Sequence, residues 1–363
     1  MLESLIQEWD GEAVIVRRDQ PTGSWTFIAI HSTLLGPATG GTRMKSYSDQ
    51  QAALQDALRL AAGMTYKFAV PGIERGGGKA VISIPKSLDP ESRKHLLRRH
   101  GKLIRQLGGL FYTGPDVGTS SADMDIIAET GSPYVFCRTV EAGGAGSPAP
   151  FTALGVFAGM EVACKHVFGE TSLKHRKVFV QGVGSVGALL VEHLRNAEAE
   201  VLFTEVDDRL IQHFRDERDV QFVPLEDAYK TECDVFAPCA LGGVINESTI
   251  PQLKCHVIAG AANNQLAKPE DGAMLRAKGI LYAPDYVINV GGAMASPAIE
   301  TLGWSHSHAE ERVANSVRSA LERIFAMADS ADISTNEAAR RIAEEHLSKS
   351  GQPISASPTS FPR

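Results

Sequence analysis

The chain has 363 residues, enough for about two domains by the usual length prior. Its composition is that of an ordinary globular protein, 43% hydrophobic and 22% charged, and its formal net charge of −7 argues against nucleic-acid or anionic-membrane partners. Five cysteines without a CxxC spacing suggest neither a disulfide framework nor a metal site, and fit reduced thiols in a cytoplasmic protein.

The opening MLESLIQEWDGE carries acids early and has no basic region before an apolar core, so no signal peptide is expected. No apolar run reaches the roughly 18 residues of a membrane span. Residues 12–35 read as two strands, AVIVRRD and WTFIAIHS, joined by a turn at QPTGS. In the following LGPATGGTRM, Gly40 and Gly41 either let the backbone approach a ligand closely or make a plain tight turn. From Ala52 to Met64 apolar residues recur at helical spacing, so a helix ends at Lys67. Gly76-Gly77-Gly78 then leads to Lys79, which opens a buried strand, AVISIP. A lysine at a strand edge behind three glycines has backbone close on every side. Desolvation and a second ammonium nearby would lower its pKa, which is how a lysine becomes a base near neutral pH. Two surface lysines in a loop is the plain alternative.

Pro90 and ESRKHLLRRHGKLIRQL make an amphipathic helix whose basic residues read as a solvated face. FYTGPDVGTSSADMDIIAE reads as a strand end, a loop and a helix capped by Ser120 or Ser121. Asp116 lies in that loop, where an aspartate commonly just bonds its own backbone. The Gly/Pro/Ala/Ser-rich stretch at 138–150 is the best candidate for a domain boundary or hinge.

A nearly uncharged, buried helix is expected over 151–169. The strongest signal follows. A strand at Val178–Val180 runs into Gly182-x-Gly184-x-x-Gly187, a helix at Ala188–Leu194 leads to a second strand at Val201–Thr204, and that strand ends in Glu205. In this context the glycines form a dinucleotide fingerprint. They let the backbone reach a pyrophosphate at the helix N-terminus, and Glu205, with Asp207 close behind, bonds the ribose 2′-hydroxyl and repels a 2′-phosphate. NAD rather than NADP is expected, held by Gly182, Gly184, Ser185, Val186, Gly187, Glu205 and Asp207. Thereafter CDVFAPCA, HVIAGAANNQ and GILYAPDYVINVGG each read as a strand ending in small or amide residues, as at the carboxyl edge of a parallel sheet. Asn263 and Asn264 stand at such an end, as ligand contacts or as turn residues. Helices are expected at 306–328 and 335–348, and the Ser/Pro-rich tail from 351 to 363 is expected to be disordered.

With these motifs in hand the chain resembles the glutamate/leucine/phenylalanine/valine dehydrogenase superfamily. The matching segments are LGPATGGTRM, GMTYKFAV, GGGKAVI, YTGPDVGT, the Gly182–Gly187 fingerprint, DVFAPCALGGVIN, IAGAANNQL and LYAPDYVINVGG, in the family's order. The resemblance implies an α/β fold: a substrate domain over 1–148, a doubly wound Rossmann NAD domain over 149–330, a C-terminal helix at 331–350 returning to the first domain, and an active site in the cleft between. It implies reversible oxidative deamination, in which an L-amino acid, NAD+ and water become a 2-keto acid, NADH and ammonium. In that reading Lys67 binds the substrate carboxylate, helped by Asn263. Lys79 is the general base that activates water. Asp116, beside the Pro115 carbonyl, handles the amino group. Gly40 and Gly41 lie against the substrate. Thr152, Asn289, Asn264, Cys239 and Ala240 lie along the cofactor. No metal, nucleic acid or membrane is involved, and a homo-oligomer is expected.

Within the family, GPDV at 114–117 and GGAGS at 143–147 resemble the phenylalanine branch. Ala293, after a Gly291-Gly292 turn, leaves more room than a β-branched residue. This ranks phenylalanine first, tryptophan second and branched aliphatic substrates third, with broad preference because pocket size discriminates by only about 1–3 kcal/mol per methylene. Two departures stand out: Thr39 before the glycines, and a proline in NVGGAMASPA with no evident place. Rival readings are an NAD sensor without catalysis and an imine-forming coupling enzyme on the same scaffold.

Overall fold

A computed structural model describes residues 2–216 and 220–351. The expected disorder of the tail beyond residue 351 concerns residues outside this range. The elements run in the order α1 (Leu2–Trp9), β1 (Ala13–Asp19), β2 (Ser24–Ser32), β3 (Ala38–Lys45), α2 (Gln50–Ala69), β4 (Gly76–Ser83), α3 (Pro90–Gln106), β5 (Phe111–Pro115), α4 (Ser121–Gly131), α5 (Ala149–Phe168), β6 (Lys177–Gln181) and α6 (Ser185–Asn196). Then follow β7 (Glu200–Thr204), α7 (Asp208–Arg215), β8 (Val220–Phe222), β9 (Val235–Pro238), β10 (Val257–Ile258), α8 (Asp271–Ala277), β11 (Leu281–Tyr282), α9 (Asp285–Ile288), α10 (Gly291–Leu302), α11 (His306–Ser330) and α12 (Thr335–Lys349).

The chain divides into two compact units. The first comprises Met1–Pro148, Ser296–Ser305 and the chain from Ala343 on; the second comprises Ala149–Ala295 and His306–Ile342. The first unit holds a mixed five-stranded sheet in the order β1-β2-β4-β3-β5, with β1 and β2 antiparallel to their neighbours and β3 parallel to both β4 and β5. The faces follow from strand alternation. Ala80 and Ile82 join Leu96, Leu97 and Ile104 of α3 on one side, while Val81 joins Ala57, Leu58 and Ala61 of α2 on the other. The second unit holds a wholly parallel sheet, β11-β10-β9-β6-β7-β8. The chain starts at β6 and reverses its direction of travel between β6 and β9, which is the doubly wound α/β topology.

Several sequence expectations need correction. Gly40 and Gly41 make no turn; they lie within β3, because a side chain at Gly40 would strike the Gly78 carbonyl of the neighbouring strand, with its Cβ 1.8 Å from that oxygen. Lys79 does not open a strand at an edge. It lies in the middle of β4, the central and fully buried strand, which already begins at Gly76. Gly291-Gly292 is not a turn but the first turn of α10, and the unplaced proline, Pro297, lies inside that helix. The basic face of α3 is only partly solvated. Arg93 pairs with Asp123, Arg99 with Asp19 at 2.6 Å, and His100 is buried with its Nε2 3.0 Å from Thr42 Oγ1. In length and apolarity α5 alone among the described helices matches a membrane span, yet its residues Phe151, Val156, Met160 and Cys164 are buried in the protein. All five cysteines are free thiols; four are buried and Cys239 is half-buried.

Candidate active site

In the first unit, the site grows from one close packing. Gly77 has no side chain because α2 lies directly over it: a Cβ there would stand 2.0 Å from Thr65 Oγ1 and 2.7 Å from the Ala61 carbonyl oxygen. Two residues on from Gly77 on the same face of β4 comes Lys79, and two residues on from Thr65 comes Lys67, half-buried in the last turn of α2. On the neighbouring strand, Arg43 pairs in register with Val81 and so shares that face.

The chain reaches the same place a third time at the end of β5. Asp116 follows Pro115, and Gly41 leaves room for it, since a Cβ on Gly41 would lie 2.9 Å from the Asp116 Cβ. The loop is pinned from below. The Asp116 amide donates to Thr119 Oγ1 at 3.0 Å, and the Thr119 hydroxyl donates to the Thr42 carbonyl at 2.8 Å. Ser120 caps α4 in a reciprocal capping box with Asp123, as one of the two candidate caps requires.

Lys79 Nζ donates to Asp116 Oδ2, and the lysine side chain is 6% exposed. Arg43 Nε donates to the other carboxylate oxygen, Oδ1, at 2.9 Å. Burial pushes the Asp116 pKa up, but the charges of Lys79 and Arg43 outweigh it and hold the carboxyl well below the usual range. Asp116 is therefore an ionised carboxylate between two cations. Its own backbone also uses it, through the Val117 amide to Oδ1, so the turn role and the ion-pair role coexist.

Behind Arg43 stands a group that sequence reading missed. Arg43 Nη1 donates to Asp56 Oδ2 at 3.0 Å, Tyr47 Oη donates to the same oxygen at 2.7 Å, and Arg59 Nη2 donates to Asp56 Oδ1 at 2.9 Å. The available signal was weak: Arg43 follows the Gly-Gly pair at strand spacing, and nothing in the chain links it to a helix residue on α2.

In the second unit, the glycine fingerprint sits between β6 and α6 as expected. Gly182 has φ +96, a left-handed conformation that favours glycine. Gly187 must lack a side chain, because a Cβ would stand 2.0 Å from the Gly182 carbonyl oxygen. Gly184 caps α6 without a side-chain hydrogen bond to the helix end, and Ser185, Val186 and Gly187 form the first turn. Ala240, after Cys239 at the end of β9, packs against Gly182, whose added Cβ would lie 2.6 Å from it. Glu205, at the end of β7, accepts from the Val183 amide at 2.9 Å and the Val206 amide at 2.7 Å, so its carboxylate borders the glycine loop. Asp207 is engaged elsewhere, capping α7 and pairing with Arg209 at 2.9 Å.

The Asn263-Asn264 turn is held by side chains that arrive later in the chain. Asn289 Nδ2 donates to Asn263 Oδ1 at 2.8 Å and to the Ala261 carbonyl at 2.9 Å. This bond uses the Asn263 oxygen as acceptor, and Asn263 is exposed. Asn264 has φ +53 and donates its amide to Asp285, which also accepts from Tyr282 Oη at 3.1 Å. Thr152 Oγ1 accepts from the Gly292 amide at 3.3 Å, which ties α5 to the start of α10. Ala293 is half-buried one residue further on.

Among the described residues there is no cluster of acids, histidines and cysteines suited to a metal ion. Residues 14–132 match the family model described as Glu/Leu/Phe/Val dehydrogenase, dimerisation domain, and residues 200–352 match that of glutamate/leucine/phenylalanine/valine dehydrogenase. A leucine dehydrogenase of Geobacillus stearothermophilus is 44% identical over 344 residues, 94% of this chain and 92% of that protein. A valine dehydrogenase of Streptomyces coelicolor is 42% identical over 93% of this chain and 92% of that protein. The crystal structure of L-tryptophan dehydrogenase from Nostoc punctiforme superposes with a TM-score of 0.82 at 38% identity, covering 96% of this chain and 99% of that one. The chain belongs to the glutamate/leucine/phenylalanine/valine dehydrogenase family of amino acid dehydrogenases.

Proposed function

We propose that the protein oxidatively deaminates an L-amino acid with an apolar side chain, using NAD+. The observation that carries this reading is the Lys79–Asp116 pair, a candidate base 6% exposed on the central strand and held against a half-buried carboxylate.

The second unit fits a dinucleotide. Its glycine loop is built so that side chains are absent where backbone lies close, the end of α6 has no side-chain cap, and Glu205 borders the loop as an acceptor for a ribose hydroxyl. Bound there, NAD+ supplies the hydride acceptor. Gly182, Gly184, Ser185, Val186, Gly187 and Glu205 are the residues assigned to it. Asn263 offers its amide N–H groups to an oxygen acceptor.

In the first unit, Lys67 is assigned to the substrate α-carboxylate by charge. As hydride leaves Cα, positive charge develops on the C–N unit, and the fixed carboxylate of Asp116 stabilises it. Water then adds to that carbon. Lys79 in its neutral form takes the water proton, and collapse of the resulting carbinolamine expels ammonia. Overall the amino acid, NAD+ and water give the 2-keto acid, NADH, ammonium and a proton.

The relatives are named for leucine, valine and tryptophan, and none supports phenylalanine over these. An aromatic substrate is favoured by Ala293, a small residue in the first turn of α10, by the GPDV and GGAGS stretches, and by the likeness to the tryptophan dehydrogenase. Self-association accompanies the reading, supported by the dimerisation-domain description matched at residues 14–132.

The test is to mix the protein with NAD+ and single L-amino acids at alkaline pH and follow NADH absorbance. Formation of NADH with apolar amino acids, and matching 2-keto acid, is expected; ratios of kcat/KM across phenylalanine, tryptophan, leucine and valine then set the preference. No NADH with any amino acid would favour a sensor, and a condensed secondary amine would favour a coupling enzyme. Light scattering on the eluting protein reads the assembly state.

A further inference from the structure

Asp116 has two oxygens, and the structure divides them. Oδ2 faces Lys79, while Oδ1 is taken by Arg43 Nε at 2.9 Å. Arg43 is itself not free to follow Asp116 if the carboxylate turns. Its Nη1 is tied to Asp56 Oδ2 at 3.0 Å, and Asp56 is fixed in turn by Tyr47 Oη at 2.7 Å and Arg59 Nη2 at 2.9 Å. One planar guanidinium thus spans two carboxylates through two N–H groups whose directions are set by the plane. The three central side chains are 13–17% exposed, so water competes little for these bonds. The anchor comes from α2, the helix that also carries Lys67.

We propose that Arg43, anchored by Asp56, is a positioning residue that keeps one oxygen of Asp116 aimed at Lys79 and the substrate nitrogen. The inference rests on the amino acid dehydrogenase reading. In the reaction the charges around Asp116 change twice: Lys79 must be neutral when it takes the water proton, and the substrate nitrogen becomes cationic as hydride departs. Without Arg43, Oδ1 would keep only the adjacent Val117 amide, and the carboxylate would turn about its Cβ–Cγ bond or follow the lysine when that partner loses its charge. Arg43 stays cationic throughout and keeps Oδ1 occupied. A lysine at position 43 would supply one ammonium where two separately directed N–H groups are needed, so it does not replace the guanidinium.

The experiment compares Arg43→Gln, Arg43→Lys and Asp56→Asn with the parent in the full chain. It measures kcat and KM for the preferred amino acid, NADH binding by fluorescence titration, and Tm. For Arg43→Gln the expected result is a fall in kcat of about 100-fold, the scale of a reacting group misplaced by about 1 Å, with KM changed by less than about threefold and NADH binding unchanged. Arg43→Lys should recover little of this, and Asp56→Asn should show a smaller fall in kcat alone. A folded Arg43→Gln protein with kcat within about threefold of the parent overturns the proposal. So does a loss that tracks Tm and takes NADH binding with it, which marks a merely structural arginine. Should Arg43→Gln fail to fold, Asp56→Asn decides: parental kcat in that variant overturns the anchor. If the parent itself forms no NADH with any amino acid, the function reading fails instead.

Discussion

Gly77 and Thr65 meet so closely that a single methyl group cannot be added to the glycine: its carbon would lie 2.0 Å from the threonine hydroxyl oxygen and 2.3 Å from its amide nitrogen. This contact sets how near helix α2 lies to the central strand β4, and therefore where Lys67 stands relative to Lys79. Gly77→Ala should lower stability by roughly 1–3 kcal/mol, the usual cost of overpacking, and raise KM for the amino acid as the end of α2 is displaced. Thermal melts and steady-state kinetics check both. A parental Tm with parental KM would show that the close approach is not what places Lys67.

Lys79→Ala removes the proposed base and leaves Asp116 with Arg43 as its remaining cation. Turnover should fall by about 10²–10⁴-fold, the range for loss of a general base. NADH binding should be unaffected, because the residues assigned to the dinucleotide belong to the second unit. Activity retained within a few-fold would remove Lys79 from the mechanism.

Glu205→Ala tests the cofactor assignment. Loss of a charged acceptor for a ribose hydroxyl should weaken NAD+ by roughly 1.5–3 kcal/mol. NADP+ should suffer less, since the variant also removes a carboxylate that repels its phosphate. The measurement is the ratio of KM values for the two cofactors. Equal losses would contradict the ribose role and leave Glu205 only as the acceptor that fixes the Val183 amide.

Two histidines, His31 half-buried and His100 fully buried, make the fold sensitive to acid. Desolvation pushes the His31 pKa from 6.5 down to about 4, against the opposing charge of Asp10, and burial together with the charge of Arg17 pushes His100 down to about 3. Both are neutral in the fold at neutral pH and bind protons more readily when unfolded. Their contribution is therefore complete above about pH 6.5 and is lost as pH falls towards the folded values. For His31 alone the loss is about 2 kcal/mol by pH 5 and about 3 kcal/mol well below pH 4. His31→Gln, which can still approach Thr65 Oγ1, should show a smaller drop in Tm between pH 7 and pH 5 than the parent. An identical drop would place the acid sensitivity elsewhere.

The alternation of strands and helices, the glycine fingerprint and the acid ending the next strand were legible because each is a local pattern. A run of apolar residues at one period fixes an element, and a glycine loop between strand and helix has few uses. The motif order was likewise enough to find the family. Local pattern misled where tertiary contact overrode it. Gly291-Gly292 and Pro297 are poor helix residues, yet they lie in α10, where a Cβ on Gly291 would stand 1.9 Å from the Phe151 carbonyl oxygen of α5. The strand expected to open at Lys79 already begins at Gly76, because flanking backbone and the overlying helix leave no space for side chains on the three glycines.

By itself the chain pointed to the candidates for chemistry: two lysines, an aspartate, a fingerprint and a pair of asparagines. Only the folded protein decided which of them meet. Lys79 and Asp116 are 37 residues apart, Arg43 and Asp116 are 73 apart, and Arg43 reaches Asp56 on a helix. These meetings depend on β4 lying between β2 and β3, and on which face of the sheet α2 covers. Strand order is a property of long-range pairing energies summed over the whole sheet, and no short stretch of sequence encodes it.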